Sequence, residues 1–109
     1  MQTDETVQKG VCETEVQIKN AAGLHMRPAM QFVDIANQYQ SSIAVSNGQT
    51  SVDGKSIMQM SMLAATCGTK LKIRAEGADA NEAVGALKEL VEVNKFGEPT
   101  PEEQQHQVQ

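Results

Sequence analysis

Residues 12–19, CETEVQIK, alternate along the chain. Cys12, Thr14, Val16 and Ile18 fall on one side and Glu13, Glu15, Gln17 and Lys19 on the other. A period of two predicts a half-buried strand. Asn20-Ala-Ala-Gly23 breaks the pattern, and from Pro28 the period changes. Ala29, Phe32, Val33 and Ala36 recur at the spacing of one helix face, with Gln31, Asp34 and Gln38 elsewhere, so an amphipathic helix is expected there. Pro28 suits its first turn, where a missing N–H costs nothing. Ile43 and Val45 then precede Asn47-Gly48, and Thr50 and Val52 follow. Asn-Gly between two β-prone runs predicts a hairpin.

Ser56-Ile-Met-Gln59 has the S-x-x-Q form of a capping box. It opens a short second helix whose inward stripe is Met60, Leu63 and Ala64 and which Cys67-Gly68 ends. Leu71, Ile73 and Ala75 alternate with Lys72, Arg74 and Glu76 in a last strand. A third helix starts at Asp79, with Glu82 three residues on and Ala83, Leu87, Leu90 and Val91 as its buried face. The order β-α-β-β-α-β-α, with one wet face on each strand, implies an α+β fold. Its simplest form is an open-faced β-sandwich: a four-stranded, mainly antiparallel sheet with three helices on one face. A split βαβ sheet of ferredoxin type uses the same ingredients, and the pattern does not separate the two.

Composition narrows the function classes. The 109 residues suffice for one domain, here 12–96, between an N-terminal extension 1–11 and a Pro/Gln-rich tail 97–109, both expected to be flexible. With no Trp, two Phe and one Tyr, the core must be aliphatic and filled by Met. That scarcity also argues against an aromatic platform for single-stranded nucleic acid. The net charge is −5, but residues 12–96 hold nine acids and eight bases, so the domain is near neutral and has no nucleic-acid footprint. Cys12 and Cys67 form neither a disulfide framework nor a metal spacing and read as reduced thiols. No signal peptide or membrane span is evident, so a soluble, cytoplasmic protein is expected.

The chemistry gathers in AGLHMRPA, residues 22–29. His25 stands at the start of the first helix, where unpaired backbone N–H groups and the helix dipole favour negative charge. Arg27 adds a forked, permanently charged donor suited to phosphate oxygens. Both neighbours disfavour the protonated ring, leaving a neutral imidazole able to attack a phosphoryl group. The product would sit among the amides of Met26 and Arg27 and the Arg27 guanidinium. From these residues alone the plainer expectation is a loop histidine that only caps the helix, with Arg27 solvated. No Cys, Asp or Glu lies at ligand spacing around His25, so no metal and no cofactor are expected, and His106 in the tail reads as inert.

GLHMRPA, followed by the hairpin and by GKSIMQMSMLAA, resembles HPr, the histidine-containing phosphocarrier family of the bacterial phosphoenolpyruvate-dependent phosphotransferase system. The likeness runs from about residue 12 to 96. It implies that His25 accepts a phosphoryl group on Nδ1 from phosphorylated enzyme I and passes it to IIA-type domains or a regulatory acceptor. Arg27 would orient the phosphate. The protein would then be a stoichiometric carrier rather than a turnover enzyme, and a monomer. The resemblance also implies regulatory phosphorylation of Ser56 by HPr kinase/phosphorylase, beside the residue's structural use as an N-cap. The partner face would be Met30, Ile57, Met58 and Ser61, all read as lying off the buried stripes and adaptable to several partners. The alternative is a regulatory paralogue whose phosphorylation state controls a kinase or transcription regulator without a transport role, and the presence of His25 does not separate the two. Two departures stand out: Ala22 replaces a polar side chain frequent in the family, and Met26 a smaller one.

Overall fold

The structure, a computed structural model, describes residues 10–108, with side chains as far as Gln104. Four strands form one sheet: β1 (Val11–Gln17), β2 (Ser42–Ser46), β3 (Ser51–Asp53) and β4 (Lys70–Glu76), in the order β1-β4-β2-β3 with every pairing antiparallel. The helices are α1 (Met26–Ala36), α2 (Ile57–Ser61) and α3 (Ala80–Lys88). A π-helical turn, Glu89–Val93, prolongs α3, and a short 3₁₀ turn, Lys95–Gly97, follows it. The order of strands decides the question the pattern left open. β1 and β2 run parallel with the last strand, β4, between them, and β3 lies at the edge, which is the open-faced sandwich.

Alternation becomes burial directly. Leu71, Ile73 and Ala75 of β4 are buried and the residues between them are exposed, while Val16 and Ile18 continue the same face. The helices close over this face, with Ala29, Phe32 and Ala36 from α1, Met60 from α2, and Ala83, Val84 and Leu87 from α3. Burying a side chain the size of Phe32 contributes about 1.5–3 kcal/mol. On the wet face Arg74 lies opposite Glu13 and bonds both Glu13 and Glu76, which raises its pKa, the hydrogen bond to Glu13 being the larger cause.

Several expectations are corrected. The methionines do not fill the core: Met60 is buried, but Met26, Met30, Met58 and Met62 are exposed, and Phe32 and Phe96 supply the bulk instead. α2 stops at Ser61, well before Cys67, and Ala64 is exposed in a left-handed conformation (φ 51°), so Ala65 takes the inward position expected of it. The capping box is half formed. Gln59 N–H donates to Ser56 Oγ at 3.2 Å, but Gln59 Oε1 accepts from Asp53 N–H rather than returning to Ser56.

The two ends also differ from the reading. Val11 belongs to β1, and the rest of the expected N-terminal extension, apart from Gly10, lies outside the described residues. The tail expected to be flexible contains a helix, α4 (Pro101–Val108), and its first residues are tied to the domain. Lys95, Phe96 and Gly97 are consecutive left-handed residues, with φ of 51°, 57° and 72°. That conformation costs about 1–2 kcal/mol at a non-glycine residue. Burial of Phe96 and the bond from Gln31 Nε2 to its carbonyl (3.2 Å) offset it. Beyond the turn, Pro99 O accepts from Ala21 N–H at 2.9 Å.

Asp79 precedes α3 but does not cap it. Its carboxylate reaches across to accept from Ser41 Oγ and from the backbone N–H groups of Gln40 (2.8 Å) and Ser41 (2.9 Å). These bonds, the Ser41 hydroxyl first, lower its pKa. A depressed carboxylate stabilises the fold above its ordinary titration, about pH 3.9, and loses that contribution as pH falls through the folded value. Wild type should therefore shed melting temperature more steeply than Asp79→Asn on acidification below about pH 4. Parallel melting curves against pH would show that Asp79 contributes nothing.

Candidate functional site

The site begins with the loop that Asn20-Ala-Ala-Gly23 forms. Gly23 is left-handed (φ 77°), its N–H donates to Asn20 O, and Leu24 N–H donates to Ala65 O at 2.8 Å. His25 follows in extended backbone (φ −89°, ψ −168°) as the N-cap of α1, its own N–H on Gly23 O. The helix thus starts two residues before Pro28. Pro28 becomes its third residue, where an absent N–H leaves the amides of Met26 and Arg27 as the free donors of the first turn. The His25 ring makes no hydrogen bond to them. That removes the reading of His25 as a helix-capping side chain.

The His25 ring points elsewhere. Nε2 lies 2.9 Å from Glu98 Oε2 and 3.1 Å from Oε1. The ring is 44% exposed, whereas the Glu98 side chain is only 12% exposed, so the pair opens to solvent on the histidine side. Asn20, fully buried, donates from Nδ2 to Glu98 Oε1 (2.9 Å) and to Gly23 O (2.8 Å). Sequence reasoning missed Glu98 because it sits in a segment with no period. The one signal was Phe96, an aromatic residue just before a Gly and a run of polar residues. It also took a cation and a helix terminus as the ring's charged neighbours, whereas the group bonded to the ring is an acid.

Arg27 is exposed, and its side chain makes no hydrogen bond or ion pair among the described residues, leaving the guanidinium free for an incoming anion. Ser56 is half-buried at the start of α2. Nearby, Lys55 Nζ donates to Tyr39 O at 2.7 Å, so this lysine ties the loop after α1. Of the expected partner face, Met30, Met58 and Ser61 are exposed, but Ile57 is half-buried and packs on the core. Its place at the first position of α2 turns it inward, a correction to the reading. Met26 and Met62, exposed as well, carry the apolar surface that Ile57 does not. Among the described residues no group of three His, Cys, Asp or Glu could hold a metal ion, and no helix is long and apolar enough to cross a membrane. Cys12 and Cys67 are unpaired thiols.

Residues 12–93 match the family model described as the PTS HPr component phosphorylation site. The phosphocarrier protein HPr of Pseudomonas aeruginosa is 46% identical over 85 residues, which cover 77% of this chain and 93% of that protein. HPr of Neisseria meningitidis serogroup A is 41% identical over 83 residues, 76% of this chain and 92% of the relative. Among solved structures, the crystal structure of HPr-C-His from Thermoanaerobacter tengcongensis superposes with a TM-score of 0.76 at 42% identity, covering 80% of this chain and 97% of that one.

Proposed function

The chain belongs to the HPr family of phosphocarrier proteins, and from that premise we propose that His25 is its phosphoacceptor, charged by phosphorylated enzyme I and discharged to IIA-type domains. The observation that carries this reading is the placing of an exposed His25 ring at the N-terminus of α1, with the free Arg27 guanidinium two residues on. In the first transfer Nδ1 of His25 attacks phosphorus, the Nδ1–P bond forms and the donor's P–N bond breaks. Onward delivery reverses the roles, with the acceptor's nitrogen attacking. The chain's own contribution is position and charge: the Met26 and Arg27 amides and the Arg27 guanidinium face the three phosphoryl oxygens as charge develops on them.

The partner surface proposed is Met30, Met58 and Ser61, widened by Met26 and Met62, around the ring. Flexible thioethers repack against different faces, which suits a carrier that must meet both a donor and its acceptors. Ser56 is the proposed regulatory site for HPr kinase/phosphorylase. Its phosphate would bring about −1.5 to −2 charges to the start of α2, next to Met58, and so oppose docking on the apolar face.

The experiment is phosphoryl transfer from phosphoenolpyruvate through enzyme I, read as acid-labile label on this protein. Arg27→Ala should slow labelling on the order of 100-fold, as loss of one transition-state donor does elsewhere. Its melting temperature should stay near that of wild type, because the side chain is exposed and unbonded. Unaltered labelling kinetics in Arg27→Ala would remove the guanidinium from the site.

A further inference from the structure

The contact between His25 and Glu98 does more than occupy the ring. A carboxylate only accepts hydrogen bonds, so with both Glu98 oxygens within 3.1 Å of Nε2 the ring nitrogen must carry the proton. A neutral ring with its proton on Nε2 has its lone pair on Nδ1. We propose that Glu98 is a positioning residue for phosphoryl transfer: it holds the His25 proton on Nε2, so that Nδ1 is the nucleophile, and it stabilises the charge the ring acquires as phosphorus binds. The inference rests on His25 being the phosphoacceptor. As the Nδ1–P bond forms and the donor's P–N bond breaks, the proton stays on Nε2 and the ring becomes cationic. A carboxylate already 2.9 Å away meets that charge without reorganisation. When the phosphoryl group leaves, its electron pair returns to Nδ1 and the ring is neutral again.

Glu98 is built into this place. The buried Phe96 anchors the left-handed turn before it, Pro99 O is pinned by Ala21 N–H after it, and Asn20 Nδ2 bonds its Oε1. Asn20 is held the right way round by two acceptors, Gly23 O and Glu98 Oε1, although its Oδ1 is left buried with no partner among the described residues. An unpaired buried polar atom costs about 1–3 kcal/mol. An asparagine that keeps such an atom fits a residue retained for what its Nδ2 holds.

The orientation of Asn20 gives the test its edge. In Glu98→Gln the new amide oxygen should stay with Asn20 Nδ2, which turns the amide N–H groups toward His25 and forces Nε2 to accept. The ring proton then moves to Nδ1, the nitrogen needed for attack. The experiment records ¹⁵N ring shifts of His25 at about pH 8, above the ordinary histidine titration, alongside the enzyme I labelling rate, for wild type, Glu98→Ala and Glu98→Gln. Wild type should show a protonated Nε2 and a bare Nδ1, Glu98→Ala a mixture, and Glu98→Gln a gain of the Nδ1–H form. Labelling should slow about tenfold in Glu98→Ala, as for loss of a group that orients a histidine. It should slow further in Glu98→Gln, since a wrong tautomer costs up to about 10⁴-fold in a serine-protease triad. Identical ring shifts in all three proteins, or equal labelling rates, would overturn the inference. Failure of wild type to label at His25 would instead remove the phosphoacceptor reading, and the ring shifts would still report on Glu98.

Discussion

His25→Ala should take up no label from phosphoenolpyruvate and enzyme I, while wild type should take one acid-labile phosphoryl group per chain. The effect should be complete because the reaction needs a nitrogen lone pair at one place. The other side chains around the helix terminus supply none: Met26 is a thioether, Arg27 is permanently protonated, and Glu98 and Asn20 are oxygen and amide groups. The variant should also fold. The ring lies half outside the protein and its one side-chain partner, Glu98, keeps the bond from Asn20, so the loss is that of about one hydrogen bond, near 1 kcal/mol. A near-native melting curve joined to an absent label separates loss of the nucleophile from loss of the fold. Label persisting in His25→Ala would move the acceptor elsewhere, with His106 the first residue to replace.

How far the sequence could be read depended on whether a residue's role is local. β4 was legible because Leu71, Ile73 and Ala75 each bury a side chain at every second position, and nothing distant is needed to see it. The hairpin at Asn47-Gly48 was legible for the same reason, its turn chemistry being local: Asn47 Oδ1 accepts from the N–H groups of Gln49 and Thr50. His25 and Arg27 were readable as a pair because the helix N-terminus places them. Glu98 was not, since it meets His25 across 73 positions through a turn whose left-handed residues have no sequence signature before Gly97. Asp79 shows the same dependence on distant contacts. Its spacing from Glu82 is that of a capping box, but the acceptor capacity of a carboxylate is satisfied better by three donors from Ser41 and Gln40 than by one helix amide. Helical spacing placed Met60 inward and Met30 and Met58 outward, as the structure has them. Composition alone suggested a Met-filled core, because it counts apolar residues without saying which face of a helix they occupy.

The same dependence on distant contacts makes Gly23→Ala a substitution expected to hurt the fold strongly for little added volume. At φ 77° an alanine is strained by about 1–2 kcal/mol. Its Cβ would also stand 2.7 Å from Ala65 O and 3.0 Å from Thr66 Cα, and both are backbone atoms that no rotamer change can move aside. Ala65 O already accepts from Leu24 N–H, so relieving the clash stretches a bond joining the site loop to the segment after α2. The sum should reach about 2–4 kcal/mol, a large share of the 5–15 kcal/mol typical of a domain. At roughly 4–8 °C per kcal/mol, that would lower the melting temperature by at least 8 °C. Gly48→Ala provides the comparison: φ is 96°, but no atom lies within 4 Å of the added methyl, so it bears strain without collision. Gly23→Ala should melt clearly below Gly48→Ala, and equal melting would mean that Ala65 yields freely. Labelling should separate the two further. Gly23 O accepts from both His25 N–H and Asn20 Nδ2, so displacing it disturbs at once the backbone that aims the ring and the amide that holds Glu98 beneath it. Gly23→Ala should therefore transfer phosphate more slowly even at temperatures where it is fully folded, whereas Gly48→Ala, at the far end of the hairpin, should transfer at the wild-type rate.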